Sequence, residues 1–360
     1  MGNSEINEMS LQSCLKEIVD PIFKKTLSSS QFLKAATVGD SGEVNVKIEL
    51  PVPSYPMESE LAELIQNTIQ KQFPDCQEIQ IDYSTKIRGK QSGGRLGLNV
   101  KNIIVVGAGK GGVGKSTIAA SLAFAFKQFG ARVGLVDADV YGPSIPHMVG
   151  THEKPVAQEF QNKDGQSLTR IIPVDADGLK VMSMAFFVEP DQAVIWRGPM
   201  LHKAITQFLQ DTDWGELDYL VIDMPPGTGD VSLTLSQLLD LAGAVVVCSP
   251  QQVALLDAVK AVHMFRQVKI PVLGIVENMS GEIFGRGGAK AKGEELQIPF
   301  LGELPMNVEI REKSDLGNIA QLVEEGSESR THLLKIAENT AIEIARGLLE
   351  RPTAPPLEIL

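Results

Sequence analysis

The pattern of apolar and polar positions changes character near residue 100. Before it, "LQSCLKEIVDPIF" carries apolar residues at helical spacing up to Pro21, and "EVNVKIELPV" alternates as a half-buried strand does. "ESELAELIQNTIQKQF" is again helical, and "EIQIDYS" supplies a second alternating strand. Residues 1–87 are therefore expected to form a small α+β unit. The stretch 88–100, "RGKQSGGRLGLNV", holds four glycines and little that packs, which is the composition of a linker. From Lys101 onward short continuous apolar runs take over: "NIIVVGAG", "RVGLVDAD", "LDYLVIDMPPG", "GAVVVCSP", "VLGIVENMS" and "PFLGELP", with amphipathic helical stretches between many of them. Runs of this kind mark strands buried on both faces, and parallel strands need crossovers that are usually helices. Residues 101–348 are thus expected to form an α/β domain on a parallel sheet, followed by a Pro-rich tail, 349–360.

Composition narrows the class. The 360 residues suffice for two domains, and with 43% hydrophobic and 22% charged residues the chain reads as globular. A formal charge of −12 argues against non-specific adhesion to nucleic acid or to anionic lipid. No apolar run approaches the roughly 18 residues of a membrane span. The opening "MGNSEINEMSLQSC" has no basic segment followed by an apolar one, so no secretory signal is expected there, and Ile6 breaks the myristoylation pattern. Only three cysteines occur, Cys14, Cys76 and Cys248, far apart, which suits a reducing compartment. A cytoplasmic protein without nucleic-acid or membrane partners is the expectation.

The chemistry concentrates after the first apolar run of the larger part. Gly109, Lys110, Gly111, Gly112, Val113, Gly114, Lys115 and Ser116 match G-x-x-x-x-G-K-[ST], preceded by a strand pattern and followed by the helical "STIAASLAFAFKQF". Glycines let backbone amides converge on phosphates, Lys115 can reach the β- and γ-phosphates, and Ser116 can ligate Mg²⁺. Asp223 closes "LVID" where a metal-holding aspartate belongs, and Asp137 and Asp139 lie at the end of the strand after the loop's helix. The loop has a second lysine, Lys110, which phosphate binding alone does not require.

With Lys110 early in the loop, K-G-G-V-G-K-S-T resembles the deviant Walker A motif of MinD/ParA/Get3-like P-loop ATPases. Together with "DADVYGPSIP", "WRGPM", "DYLVIDMPPGTGD", "VVVCSPQQVALLD", "GIVENMS" and "IFGRGG", it resembles the Mrp/NBP35 (ApbC-type) iron-sulfur cluster carrier ATPases over residues 100–345. "LKEIVDP" and "ELPVPSYPMESELAELI" are similar to the MIP18/DUF59-type domain often fused in front of that ATPase. The resemblance implies an ATP-hydrolysing homodimer that assembles or delivers clusters, with apoproteins or scaffold proteins as partners. It implies that Gly109 to Thr117 bind phosphates, that Lys110 reaches the partner subunit's nucleotide, and that Asp139, with Asp137 close by, orients the attacking water. It further implies that Asp223 holds Mg²⁺ through water, that Asn278 reads adenine, and that Pro250 with Gln251 flanks the base.

One departure stands out. Many members carry C-x-x-C just after "ENMS", giving a dimer four thiolates for a bridging cluster, whereas this chain reads "VENMSGEIFGRGG". The cysteine common in MIP18-type domains is also missing, with Tyr55 preceding Pro56. The cluster ligands are thus unassigned. Two other functions remain open on the residues: a metal-independent adaptor switched by ATP, and a positioning ATPase of the ParA or MinD kind.

Overall fold

The computed structural model describes residues 7–39, 43–76, 78–140, 142–161, 167–187, 198–227 and 229–350. The Pro-rich tail beyond Glu350, Tyr141, Thr228, and Trp196 and Arg197 of the "WRGPM" motif lie outside the described residues. The chain divides into two compact units: the first takes the chain up to Arg88 together with that from Ala345 on, the second is Gly89–Ile344.

In the first unit come α1 (Glu8–Lys16), β1 (Leu33–Val38), β2 (Val44–Leu50), α2 (Glu58–Gln72) and β3 (Ile79–Thr85). Asn7 caps α1 reciprocally: its side chain accepts from Ser10 N at 2.9 Å, and Asn7 N donates to Ser10 Oγ at 3.2 Å. The central strand β2 buries Val44, Val46, Ile48 and Leu50 on one face. It pairs antiparallel with β1 and parallel with β3. The parallel pair is possible because α2 carries the chain across, burying Leu61, Ile65 and Ile69 as an i, i+4, i+8 stripe. β1 was not expected from the pattern; "LKAATV" offers one fully buried apolar residue, Ala36, and no clear alternation.

The second unit holds β4 (Val100–Gly107), α3 (Lys115–Gln128), β5 (Val133–Asp137), α4 (Ile145–Met148), β6 (Val156–Gln161), β7 (Ser167–Ile172), β8 (Val174–Ala176) and β9 (Leu179–Ser183). It continues with α5 (Gly198–Asp211), β10 (Leu217–Asp223), α6 (Gly229–Leu238), β11 (Gly243–Cys248), α7 (Gln252–Gln267), β12 (Val272–Ser280), α8 (Gly288–Leu296), β13 (Phe300–Pro305), α9 (Val308–Asp315) and α10 (Arg330–Leu349) as far as Ile344. Eight strands form one sheet in the order β13-β12-β11-β4-β10-β5-β9-β8, parallel except for β8, which runs antiparallel to β9. β6 and β7 form a separate hairpin.

All six strands read from apolar runs are present, and β5, β10 and β11 are buried at every position. Helix α3 packs on the sheet through Phe126, stacked on Tyr219 with ring centroids 4.1 Å apart. The linker expectation for 88–100 needs correcting. Asp240 N donates to Ser92 O at 3.2 Å, and Lys90 Nζ donates to Leu241 O at 3.0 Å. A Cβ on Gly94 would lie 2.5 Å from Leu238 O. Gly89, Gly93 and Gly94 serve close backbone approach, which composition alone cannot tell from flexibility.

Candidate nucleotide site

The loop between β4 and α3 opens at the carboxyl end of the sheet, where β4 lies between β10 and β11. Its glycines are demanded by geometry. Gly112 and Gly114 both have φ of 78°, in the left-handed region. A Cβ on Gly109 would sit 1.9 Å from Asp257 O, and one on Gly114 2.1 Å from Asn278 Nδ2. Helix α3 starts at Lys115 with no side-chain cap and no acidic residue in its first turn. Its free amides and positive dipole end are therefore available to an anion.

The charged side chains converge here. Lys115, 7% exposed, places Nζ 2.5 Å from Asp223 Oδ1 and 3.6 Å from Asp139 Oδ2. Ser116 Oγ donates to Asp223 Oδ2 at 2.6 Å. Asp223 is fully buried, and burial raises its carboxyl pKa against the opposing pull of Lys115 and Ser116. Asp137, one strand over and also fully buried, accepts from Asp139 N and Ile145 N at 3.1 Å each and from Ser183 Oγ at 3.0 Å. Burial, then the nearby Asp223 charge, pushes its pKa up to about 7. A hydroxyl and a carboxylate meeting beside a phosphate cradle form an oxygen donor set that suits Mg²⁺, with phosphates and waters completing the shell.

Of the remaining expected residues, Val113 is buried and its carbonyl accepts from Asn278 Nδ2 at 2.8 Å. Asn278 therefore braces the phosphate loop from behind. It also lines, with Thr117, Met279, Pro305, Met306 and Asn307, a cavity of about 400 Å³. Pro250 is buried at the end of β11 and is not among the residues lining that cavity; its carbonyl lies 2.8 Å from where a Cβ on Gly288 would stand. Gly111 stands near Pro226, and Lys110 is partly exposed and makes no ion pair among the described residues. Sequence reasoning missed Ser183 and the 305–314 side of the cavity. Only the position of "LPMN" between a strand and a helix hinted at the latter.

Cluster ligands are not assembled. Among the described residues no three His, Cys, Asp or Glu side chains gather as a metal site. Cys14 Sγ donates to Leu11 O at 3.1 Å, and Cys76 is partly exposed in the same first unit. Cys248 is buried, which with Glu277 nearby pushes its thiol up to about 12, so it is inert at neutral pH. Where relatives of the resembled family carry C-x-x-C, Gly281 and Gly285 exchange two backbone hydrogen bonds of 2.8 Å. Ile283 stands 77% exposed between them. The buried Glu277 fixes the next turn by accepting from Gly287 N and Ala289 N, both at 2.7 Å. In the first unit, Tyr55 donates its hydroxyl to the buried Asp20 at 2.7 Å, a structural contact.

A parallel sheet with a glycine loop feeding an uncapped helix, a lysine and serine on that helix, and an aspartate ending the adjacent strand define a P-loop NTPase. The family model described as "ParA: NUBPL iron-transfer P-loop NTPase" matches residues 99–341, and the chain belongs to that family. It is 42% identical over 359 residues to an iron-sulfur cluster carrier protein of Deinococcus radiodurans, covering 96% of this chain and 99% of that one. It is 40% identical over 346 residues to the carrier protein of Haemophilus influenzae, covering 93% and 91%. A nucleotide-binding protein of Archaeoglobus fulgidus, solved in complex with ADP, superposes with a TM-score of 0.54 at 36% identity, over 66% of this chain and 93% of that one. No described helix is long and apolar enough to cross a membrane.

Proposed function

We propose that this chain binds ATP with Mg²⁺, hydrolyses it as a homodimer in the cytoplasm, and uses the cycle to take up and hand over an iron-sulfur cluster. The observation that carries this reading is the convergence of Lys115, Ser116, Asp139 and Asp223 at the uncapped start of α3. On nucleotide binding Lys115 leaves Asp223 for the β- and γ-phosphates, and the loop amides take the phosphate oxygens. Ser116 and Asp223 are then free to hold Mg²⁺, which supplies charge neutralisation of the phosphates. Asp139 orients the attacking water, and Lys110, without an ion-pair partner in its own subunit's described residues, reaches the partner subunit's nucleotide. The cavity beside Thr117 and Asn278 takes the nucleoside. In support, an Asp139→Ala variant should accumulate as an ATP-bound dimer on size-exclusion chromatography; normal turnover would remove the assignment.

A second reading has its own observation: the loop at 281–287 presents an isoleucine and no thiol. On that reading the ATPase times the release of a client and the cluster belongs to a partner. Anaerobic reconstitution with iron and sulfide, beside a variant with Cys14, Cys76 and Cys248 changed to serine, separates the two. Stoichiometric cluster in the natural chain and none in the variant supports a carrier with relocated ligands. No cluster in either supports the adaptor.

A further inference from the structure

Ser183 ends β9 opposite Asp137 in the parallel ladder and is fully buried. Its hydroxyl is committed twice: Oγ donates to Asp137 Oδ2 at 3.0 Å and accepts from Ala185 N at 3.1 Å. The other two donors to Asp137 come from the backbone that follows β5, Asp139 N to Oδ1 and Ile145 N to Oδ2. A carboxylate gripped by three donors has one orientation open to it, so both ends of the 139–145 segment are held from a single point. Within that segment Asp139 Oδ1 accepts from Gly142 N at 3.3 Å, while Oδ2 faces Lys115.

We propose that Ser183 is a positioning residue for hydrolysis: through Asp137 it holds the backbone amides of Asp139 and Ile145 in place and hence the direction of the Asp139 carboxylate. The proposal rests on the reading of Asp139 as the group that orients the attacking water. Because Asp137 and Ser183 are both sealed from solvent, water cannot substitute for a lost hydroxyl without opening the packing. Asp137 then turns to recover a donor, and its two backbone anchors lengthen. The phosphate contacts of residues 109–117 do not pass through Ser183, so the loss falls on the chemical step and spares nucleotide affinity.

The test uses the full chain with Ser183→Ala, Ser183→Cys, Ser183→Thr and Asp139→Ala, reading steady-state ATP hydrolysis and ADP affinity by calorimetry. Ser183→Ala should lower kcat about ten-fold while KM for ATP and Kd for ADP stay within about two-fold. Ser183→Cys fills the same space with a much weaker donor and should lose kcat likewise, whereas Ser183→Thr keeps the hydroxyl and should restore it. Full kcat in both Ser183→Ala and Ser183→Cys, with Asp139→Ala inactive, overturns the positioning role alone. A parallel fall of kcat and ADP affinity in Ser183→Cys also overturns it, since the hydroxyl would then support the site as a whole. Full hydrolysis by Asp139→Ala removes the underlying assignment, and the proposal with it.

Discussion

Lys115 sits between two aspartates in a pocket that excludes most water, and such an ion pair adds little net stability because desolvation offsets the attraction. On the proposed reading the lysine leaves Asp223 for the phosphates, and its restraint between the two aspartates means that part of its rotamer entropy is lost in folding and not at binding. Lys115→Ala should therefore weaken ADP binding by at least about 100-fold, on the order of 3 kcal/mol, measured by calorimetry. Lys110→Ala should keep ADP affinity and lose only the hydrolysis that rises with protein concentration; retained concentration-dependent hydrolysis would remove the trans role. At this scale the sequence was informative because phosphate binding imposes a fixed spacing of glycine, lysine and serine. Asn278 shows the limit. The resemblance pointed it at the base, and no local pattern foretold that its amide nitrogen also donates to Val113 O, a contact between residues 165 apart in the chain.

At the scale of elements, the amino ends of the central strands are tied by Asp218 at the start of β10. It accepts from Arg132 N at 3.0 Å and Arg132 Nε at 3.2 Å, and Lys101 Nζ lies 2.8 Å away. Burial alone would raise its pKa, but Arg132 and Lys101 outweigh it and hold the carboxyl at about 2. A depressed folded pKa gives stability that is present above the unfolded carboxyl value, about 3.9, and is lost as pH falls through the folded one. Asp218→Asn should thus cost about 1–3 kcal/mol of unfolding free energy near neutral pH, and the difference from the natural chain should shrink towards pH 2. ADP affinity should not change, because Asp218 lies at the end of the sheet opposite the phosphate loop. An equal loss of both would contradict that separation.

Across the whole molecule, the chain divides into two compact units, and every residue of the proposed phosphate site lies in the second. Saturating ADP, at about 100 times its Kd, stabilises the bound form by about 2.7 kcal/mol. In hydrogen exchange that gain should appear as slowed exchange at 109–117 and 305–314, and not in the sheet of β1, β2 and β3. Equal slowing there would mean that binding energy spreads through both units.

Six parallel strands, the phosphate loop and its three aspartates were legible in sequence, since phosphate geometry and, in every one of the six but the edge strand β13, burial on both faces impose a local pattern. Local patterns carry no strand order, so the placing of β4 between β10 and β11, which opens the crevice, came only from tertiary structure. The same holds for β9. Its five residues "LKVMS" are too short and mixed to signal a strand, yet pairing with β5 brings Ser183 onto Asp137. Composition misled at 88–100, because glycine is chosen both where a chain must bend freely and where two backbones must touch. By itself the sequence determined the chemistry of phosphate binding. What surrounds that chemistry was decided by contacts between residues far apart in the chain, where the free energy of packing and of buried hydrogen bonds is realised.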